Sequence, residues 1–136
     1  MRAHETCGNV FLPGGLLNTN LPGASGASAF DLHSLFAGPL GFATNWTQLD
    51  TAGRQRVAHA IADYKSIRHL INKDYYPLFP QTFDTQQWIG WEFFDAEAGE
   101  GFLVVLRPKE SPLPSRVIRT LPDPSARAIQ TSFFLM

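Results

Sequence analysis

The sequence is poor in the residues that usually announce a chemistry. Cysteine occurs once, as Cys7. An intramolecular disulfide is therefore excluded, and the usage suits a reducing compartment. No apolar run approaches the ~20 residues of a membrane-spanning helix. The opening stretch, MRAHETCGNV, carries no apolar core of a secretion signal. These features give the expectation of a cytoplasmic protein with no membrane partner. Charge of neither sign dominates: 11 Lys and Arg stand against 12 Asp and Glu, for a net charge of −1. The basic residues are scattered, so the electrostatic footprint of a nucleic-acid binder is missing. NWT at 45–47 matches a glycosylation acceptor, which carries weight only in a secreted chain. Internal repeats, low-complexity tracts, phosphate-cradling glycine loops, a nucleophile elbow and a dinucleotide fingerprint are all absent.

What is present suits an ordinary soluble composition in 136 residues, enough for one domain or two small pieces. Residues 8–28, rich in Gly, Asn, Pro and Ser, are expected to form a long irregular loop. Such loops are uncommon inside small domains and common at the mouths of larger scaffolds. A short helix is expected next, in SAFDLHSLFAG, with Ser28 as N-cap, Asp31 in the first turn, and Gly38 and Pro39 as its stop. PLGFAT is a candidate short strand.

The strongest helix starts after Asp50, a good N-cap. Val57, Ile61, Tyr64, Ile67 and Ile71 recur at spacings of three and four, and so share one face. Ala58 and Ala60 would let a neighbour approach closely. Asn72 is the expected left-handed terminator. That gives a helix of about 21 residues, roughly 30 Å long.

Beyond it the apolar period drops from 3.6 to 2. QWIGWEFF alternates, with Ile89, Trp91 and Phe93 on one face and Trp88, Gly90 and Glu92 on the other. FLVVLR at 102–107 is apolar on both faces and suggests a central strand. SRVIRTL (115–121) and RAIQTSFF (127–134) complete an expected antiparallel meander. The fold class expected of the isolated chain is α+β. One long surface helix with little strand material before it, and a meander that stops early, make both ends look cut.

Candidate chemistry is thin. His4, Glu5 and Cys7 could ligate a metal, but a structural zinc site needs about four ligands and nothing completes the set. No metal and no cofactor is therefore assigned. His59 and Asp63 stand i and i+4 on the long helix and can pair, most simply as a solvated surface pair. Lys65 and Arg68 could hold an anion, although pairing at the helix end is the simpler role. Trp88 or Trp91 could offer a flat platform to a sugar, whereas core packing is the default for such aromatics. Asp50, Asp74, Asp84, Asp95, Glu97, Glu100 and Asp123 are scattered through caps and turns. Glycoside hydrolysis needs two carboxyls facing one bond, roughly 5–10 Å apart, and no such pair is evident.

The stretch FAGPLGFATNWTQLDTAGRQRVAHAIADYKSIRHLINKDYYPL resembles the end of the catalytic barrel in melibiase-type α-galactosidases and related glycoside hydrolases. The resemblance rests on a Gly-x-Leu-Gly-aromatic turn at Gly38, Leu40, Gly41 and Phe42, then on Tyr64, Lys65 and Arg68 of a capped helix. A seam follows at Lys73, Asp74, Tyr75 and Tyr76, where the family's glycine is replaced by Lys73. WIGWEFFDAEAGEGFLVVLRP is similar to the family's C-terminal sheet, including the strand that ends at Arg107. His4, in MRAHE, matches a histidine of an upstream family segment.

The resemblance implies the terminal βα portion of a (β/α)8 barrel followed by an antiparallel β-sheet domain. Residues 1–72 would be the last segment of the barrel (loop, short helix, long helix) and 73–136 a truncated C-terminal β-domain. It implies retaining hydrolysis of terminal α-galactosides by two aspartates, both of which precede residue 1 in this alignment. Asp31 and Asp50 fall outside the family's catalytic positions, so no catalytic residue is assigned, and the chain alone is expected to be inactive. The loop over 4–28 would line the sugar pocket, since barrel sites are built from loops after strands. An α-galactoside or related oligosaccharide is the implied partner of the whole enzyme. Two rivals stand beside this: a self-standing carbohydrate-binding module, and a structural module that self-associates through an exposed helix face.

Overall fold

A computed structural model describes residues 10, 14–16, 19–22, 28–43 and 45–120. Strand β1, Thr19–Pro22, is followed by a short helix α1, Ala29–His33, and strand β2, Leu40–Ala43. Helix α2, Thr51–Ile67, comes next, then strands β3, Asp74–Pro77, β4, Ile89–Asp95, and β5, Glu100–Leu106. Among the described residues β1 and β2 form a parallel pair, and the other three strands form a separate antiparallel sheet in the order β3-β4-β5. No described helix is long and apolar enough to cross a membrane.

The helix starts follow the expected chemistry. Ser28 caps α1: its Oγ accepts from the Asp31 N–H, while the Asp31 carboxylate accepts from the Ser28 N–H at 3.1 Å. Asp50 caps α2, accepting from the Gly53 N–H at 2.6 Å, with no reciprocal box. The helix ends differ from expectation. Regular α2 covers 17 residues and tightens into a 3-10 turn at Arg68–Leu70. No described non-glycine residue has positive φ, so Asn72 is not a left-handed terminator. Its side-chain oxygen instead accepts from the Gly15 N–H at 2.8 Å and ties the Gly14–Leu16 turn to the end of the helix.

The expected loop at 8–28 contains β1, in register with β2 from Thr19↔Leu40 to Pro22↔Ala43. A four-residue TNLP segment has no periodicity of its own, so only a tertiary partner makes it a strand. The sheet also departs from expectation in its order. Strand β4 is central and β5 lies at the edge among the described residues. The seam segment became a strand, β3, and took the place beside β4. Residues 115–120 are not strand, and Val117 is 88% exposed. The strand expected at 127–134 lies outside the described residues.

The alternation of β4 is as expected, but both faces are covered. Ile89, Trp91 and Phe93 lie opposite Leu106, Val104 and Phe102 and face the helices. Trp91 and Phe93 are both 0% exposed. Gly90 and Glu92, on the other face, are buried as well. A Cβ on Gly90 would meet the Val104 carbonyl at 2.9 Å, which explains the glycine there. The β4–β5 turn closes through Gly99, whose φ of 64° suits glycine, with its N–H donating to the Asp95 carbonyl at 2.9 Å.

One apolar cluster joins the two halves of the chain. It unites Phe30, Leu32 and Phe36 around α1, Val57 and Ala60 of α2, and Trp91, Phe93 and Leu106 of the sheet. The Phe93 ring stacks on Phe102 and meets Tyr75 edge-on, each at 5.3 Å between centroids. Phe93→Ala is expected to lower unfolding free energy by about 3–5 kcal/mol in denaturant titration; a loss below ~1 kcal/mol would contradict the burial. The Ser111 hydroxyl is buried and has no hydrogen-bond partner among the described residues. Ser111→Ala is therefore expected to leave stability unchanged or raise it by up to about 1 kcal/mol, and a clear loss in the same titration would reveal a missed partner.

Candidate functional site

One hollow lies between α2 and the edge of β5. It holds about 230 Å³ and is walled by His33, Asp63, Ser66 and Ile67 on one side and by residues 102–106 on the other. A second hollow of about 280 Å³ lies near Ala29, Leu32, Arg56 and His59, with His33 and Asp63 shared between the two. Both fall short of the ~300–1,000 Å³ usual for small-molecule sites.

His33 stands at the centre of this region. It is the last residue of α1, and its Nδ1 lies 2.7 Å from the Ala29 carbonyl oxygen one turn earlier. Its Nε2 lies 3.1 Å from Oδ2 of Asp63 on α2. The ring packs edge-on against Phe36, with centroids 5.0 Å apart. Sequence spacing had paired Asp63 with His59, one turn away on the same helix. The structure pairs Asp63 with His33 across helices and leaves His59 exposed. The i, i+4 rule sees only one helix, so α1 could not compete in that argument.

The remaining candidates are dispersed. His4, Glu5, Cys7 and Asp123 lie outside the described residues. Lys65 and Arg68 are exposed. Asp84 organises its own turn by accepting from the Gln86 N–H at 2.9 Å. Glu100 pairs with His69 at 2.8 Å, half in solvent. Asp31 and Asp50 are caps. Asp74 is an exposed residue of β3, and Glu97 is exposed in the β4–β5 turn. Neither tryptophan named as a sugar platform presents a face. Trp91 is fully buried, and Trp88 is buried with its Nε1–H donating to the Leu113 carbonyl at 3.2 Å. The exposed tryptophan is Trp46, 48% accessible, just past β2 and edge-on to Phe42 at 5.5 Å. In the sequence it was visible only as the middle of NWT. Among the described residues no three His, Cys, Asp or Glu side chains gather as a metal set.

One ion pair perturbs its members. Lys73 Nζ lies 2.7 Å from Asp95 Oδ2 at the seam between α2 and the sheet. The hydrogen bond from Lys73 holds the Asp95 carboxyl below its usual range, helped by the Ala98 and Glu97 N–H groups against some desolvation. The same hydrogen bond and attraction raise the Lys73 ammonium above its usual value. The Asp95 contribution to stability is thus complete above the ordinary carboxylate range, ~4, and fades as pH falls through the depressed value. The Lys73 contribution is complete below the ordinary lysine range, ~10.4, and fades as pH rises through the elevated one. Thermal melts from pH 7 down to pH 2 should show Asp95→Asn losing part of the acid-side drop seen in the native chain; superimposable relative profiles would remove the pair from the account.

No family model matches the sequence, and no curated protein matches it. Among solved structures, a GH36 α-galactosidase, AgaB from Geobacillus stearothermophilus, is similar with a TM-score of 0.69 at 17% identity. The match covers 88% of this chain and 18% of that one. The similarity is one of fold, and the chain spans under a fifth of the protein that it matches.

Proposed function

We propose that this chain is the C-terminal portion of a glycoside hydrolase of α-galactosidase type, supplying the last barrel wall and a bracing β-domain. The observation that carries this is the order of elements: a parallel β1–α1–β2 unit, a long capped helix, then an antiparallel sheet. That order is matched over 88% of the chain by part of an α-galactosidase. Among the described residues the parallel sheet has two strands, an unusual end state, because parallel sheets are normally buried within larger α/β layers. In this reading residues 1–72 belong to the barrel and 73–136 to the β-domain. The barrel needs on the order of 200 residues, so its remainder, with the carboxylates that act on the galactoside, is contributed from outside this chain.

A second reading, a structural module sufficient in itself, draws support from α2. Val57 and Ala60 are buried by this chain's own residues, while Ile61, Tyr64 and Ile67 are half-buried against the same cluster.

One measurement tests the placement of catalysis and a second separates the readings. The chain alone should release no nitrophenol from a nitrophenyl α-galactoside, and turnover would overturn the assignment of catalysis elsewhere. Amide exchange should be fast in β1 and β2 and slow in β4. Equal protection in both sheets would favour the self-sufficient module.

A further inference from the structure

We propose that the outer edge of β5 is a docking edge for the chain's own residues 127–134, RAIQTSFF, which add there as a further strand antiparallel to β5. These residues lie outside the described ones. The edge takes this occupant whether or not the chain is part of a glycoside hydrolase.

Among the described residues β5 pairs with β4 on one side only. The register runs unbroken from Asp95↔Glu100 to Ile89↔Leu106, so no bulge turns the edge away. Residues 101–106, GFLVVL, hold no charge and no proline, which are the usual guards against strand addition. In an antiparallel pair every second residue aims its N–H and C=O away from the partner. Here those groups stand among side chains that are buried or half-buried from Phe102 to Leu106. Backbone groups in such surroundings are costly to leave unmet. Alongside runs the hollow of about 230 Å³, with Asp63, Ser66 and Ile67 of α2 opposite residues 102–106. Consecutive residues of one strand line it, so it follows the edge of β5 rather than one face.

The path of the chain after β5 selects the occupant. Arg107 Nε and Trp88 Nε1 both donate to the Leu113 carbonyl, at 3.3 and 3.2 Å. Arg116 then donates to the Gln87 side-chain oxygen at 2.9 Å. Gln87 and Trp88 immediately precede Ile89, the partner of Leu106. The chain is thus held at the Leu106 end of β5, where an antiparallel neighbour must start. Residues 117–126 can span up to roughly 33–36 Å, ample to reach the outer edge from there. RAIQTSFF would extend over about 27 Å, against about 24 Å for β5. Its alternation sets Ile129, Thr131 and Phe133 on one side, which suits the hollow with Ile67 and Phe36 in its wall. A tethered strand meets the edge at an effective concentration of order millimolar, which a second copy of the chain reaches only in concentrated solution. With this neighbour β5 becomes an interior strand, the place that its two apolar faces call for.

The test uses the full chain. One alternate set of β5 amides bonds to β4, and the other set reports the outer edge. Exchange of the outer set should be slow, and equally slow at high and low protein concentration. Replacing Ile129→Asp together with Phe133→Asp should speed it about tenfold, one hydrogen bond's worth, while the β4-facing set keeps its protection. Nuclear Overhauser contacts between α-protons should join residues 127–134 to residues 100–106 in the native chain. An unprotected outer set overturns the proposal, as does protection that survives both substitutions. Protection that grows with concentration assigns the edge to a second copy instead, and contacts of 127–134 with another strand place the segment elsewhere; either result also overturns it. Circular dichroism separates a lost strand from a lost fold, and should the double variant fail to fold, the contacts in the native chain decide.

Discussion

The structure depends on one side chain that belongs to both halves of the chain. Trp91 sits in the middle of the central strand β4, has no exposed surface, and directs its Nε1–H to the Phe36 carbonyl at 3.4 Å. Burying an aromatic of this size removes roughly 150–250 Å² from water. At about 25 cal/mol per Å² that is roughly 4–6 kcal/mol of gross driving force. The hydrogen bond is long, so its value is mainly that the indole N–H is not left unpaired. Because the ring bridges the α1 region and the sheet, the boundary near residue 72 is a change of secondary structure without a break in the core.

The helix starts were legible because capping is a local exchange of hydrogen bonds: Ser28 with Asp31, and Asp50 with Gly53, each need only three residues of context. The alternation of Ile89, Trp91 and Phe93 was legible for the same reason. Strand order was not. FLVVL is apolar on both faces and argues for a central place, yet β4 holds it, because the seam segment Asp74–Pro77 pairs with β4 on its other side. Nothing within either strand encodes that third partner. TNLP became β1 only through Leu40–Ala43, and Asn72 became a tether only because Gly15 lies beside it.

The candidate site was less legible than the fold. Pairing Asp63 with His59 followed from helical spacing, but the true partner is thirty residues earlier and on another helix. The platform tryptophans Trp88 and Trp91 illustrate the same limit. Their spacing said correctly that they point to opposite faces, but it could not say that both faces are covered. The match to part of an α-galactosidase, at 17% identity, holds at the level of the fold and does not reach the turn and helix motifs.

The connection between β3 and β4 has an architectural consequence of its own. It leaves β3 with the Leu78 N–H donating to the Gly90 carbonyl at 3.0 Å, and it returns through the edge-on contact of Phe79 with Trp88. Both feet of the excursion are thus pinned at the sheet margin, and Arg116 lies over the Phe79 ring like a clasp. Between those anchors Phe83 is largely exposed. Extra residues spliced in at its tip would lengthen the arch without sliding one strand past the other, so this is the span along which relatives can diverge in size while the ladder stays in step.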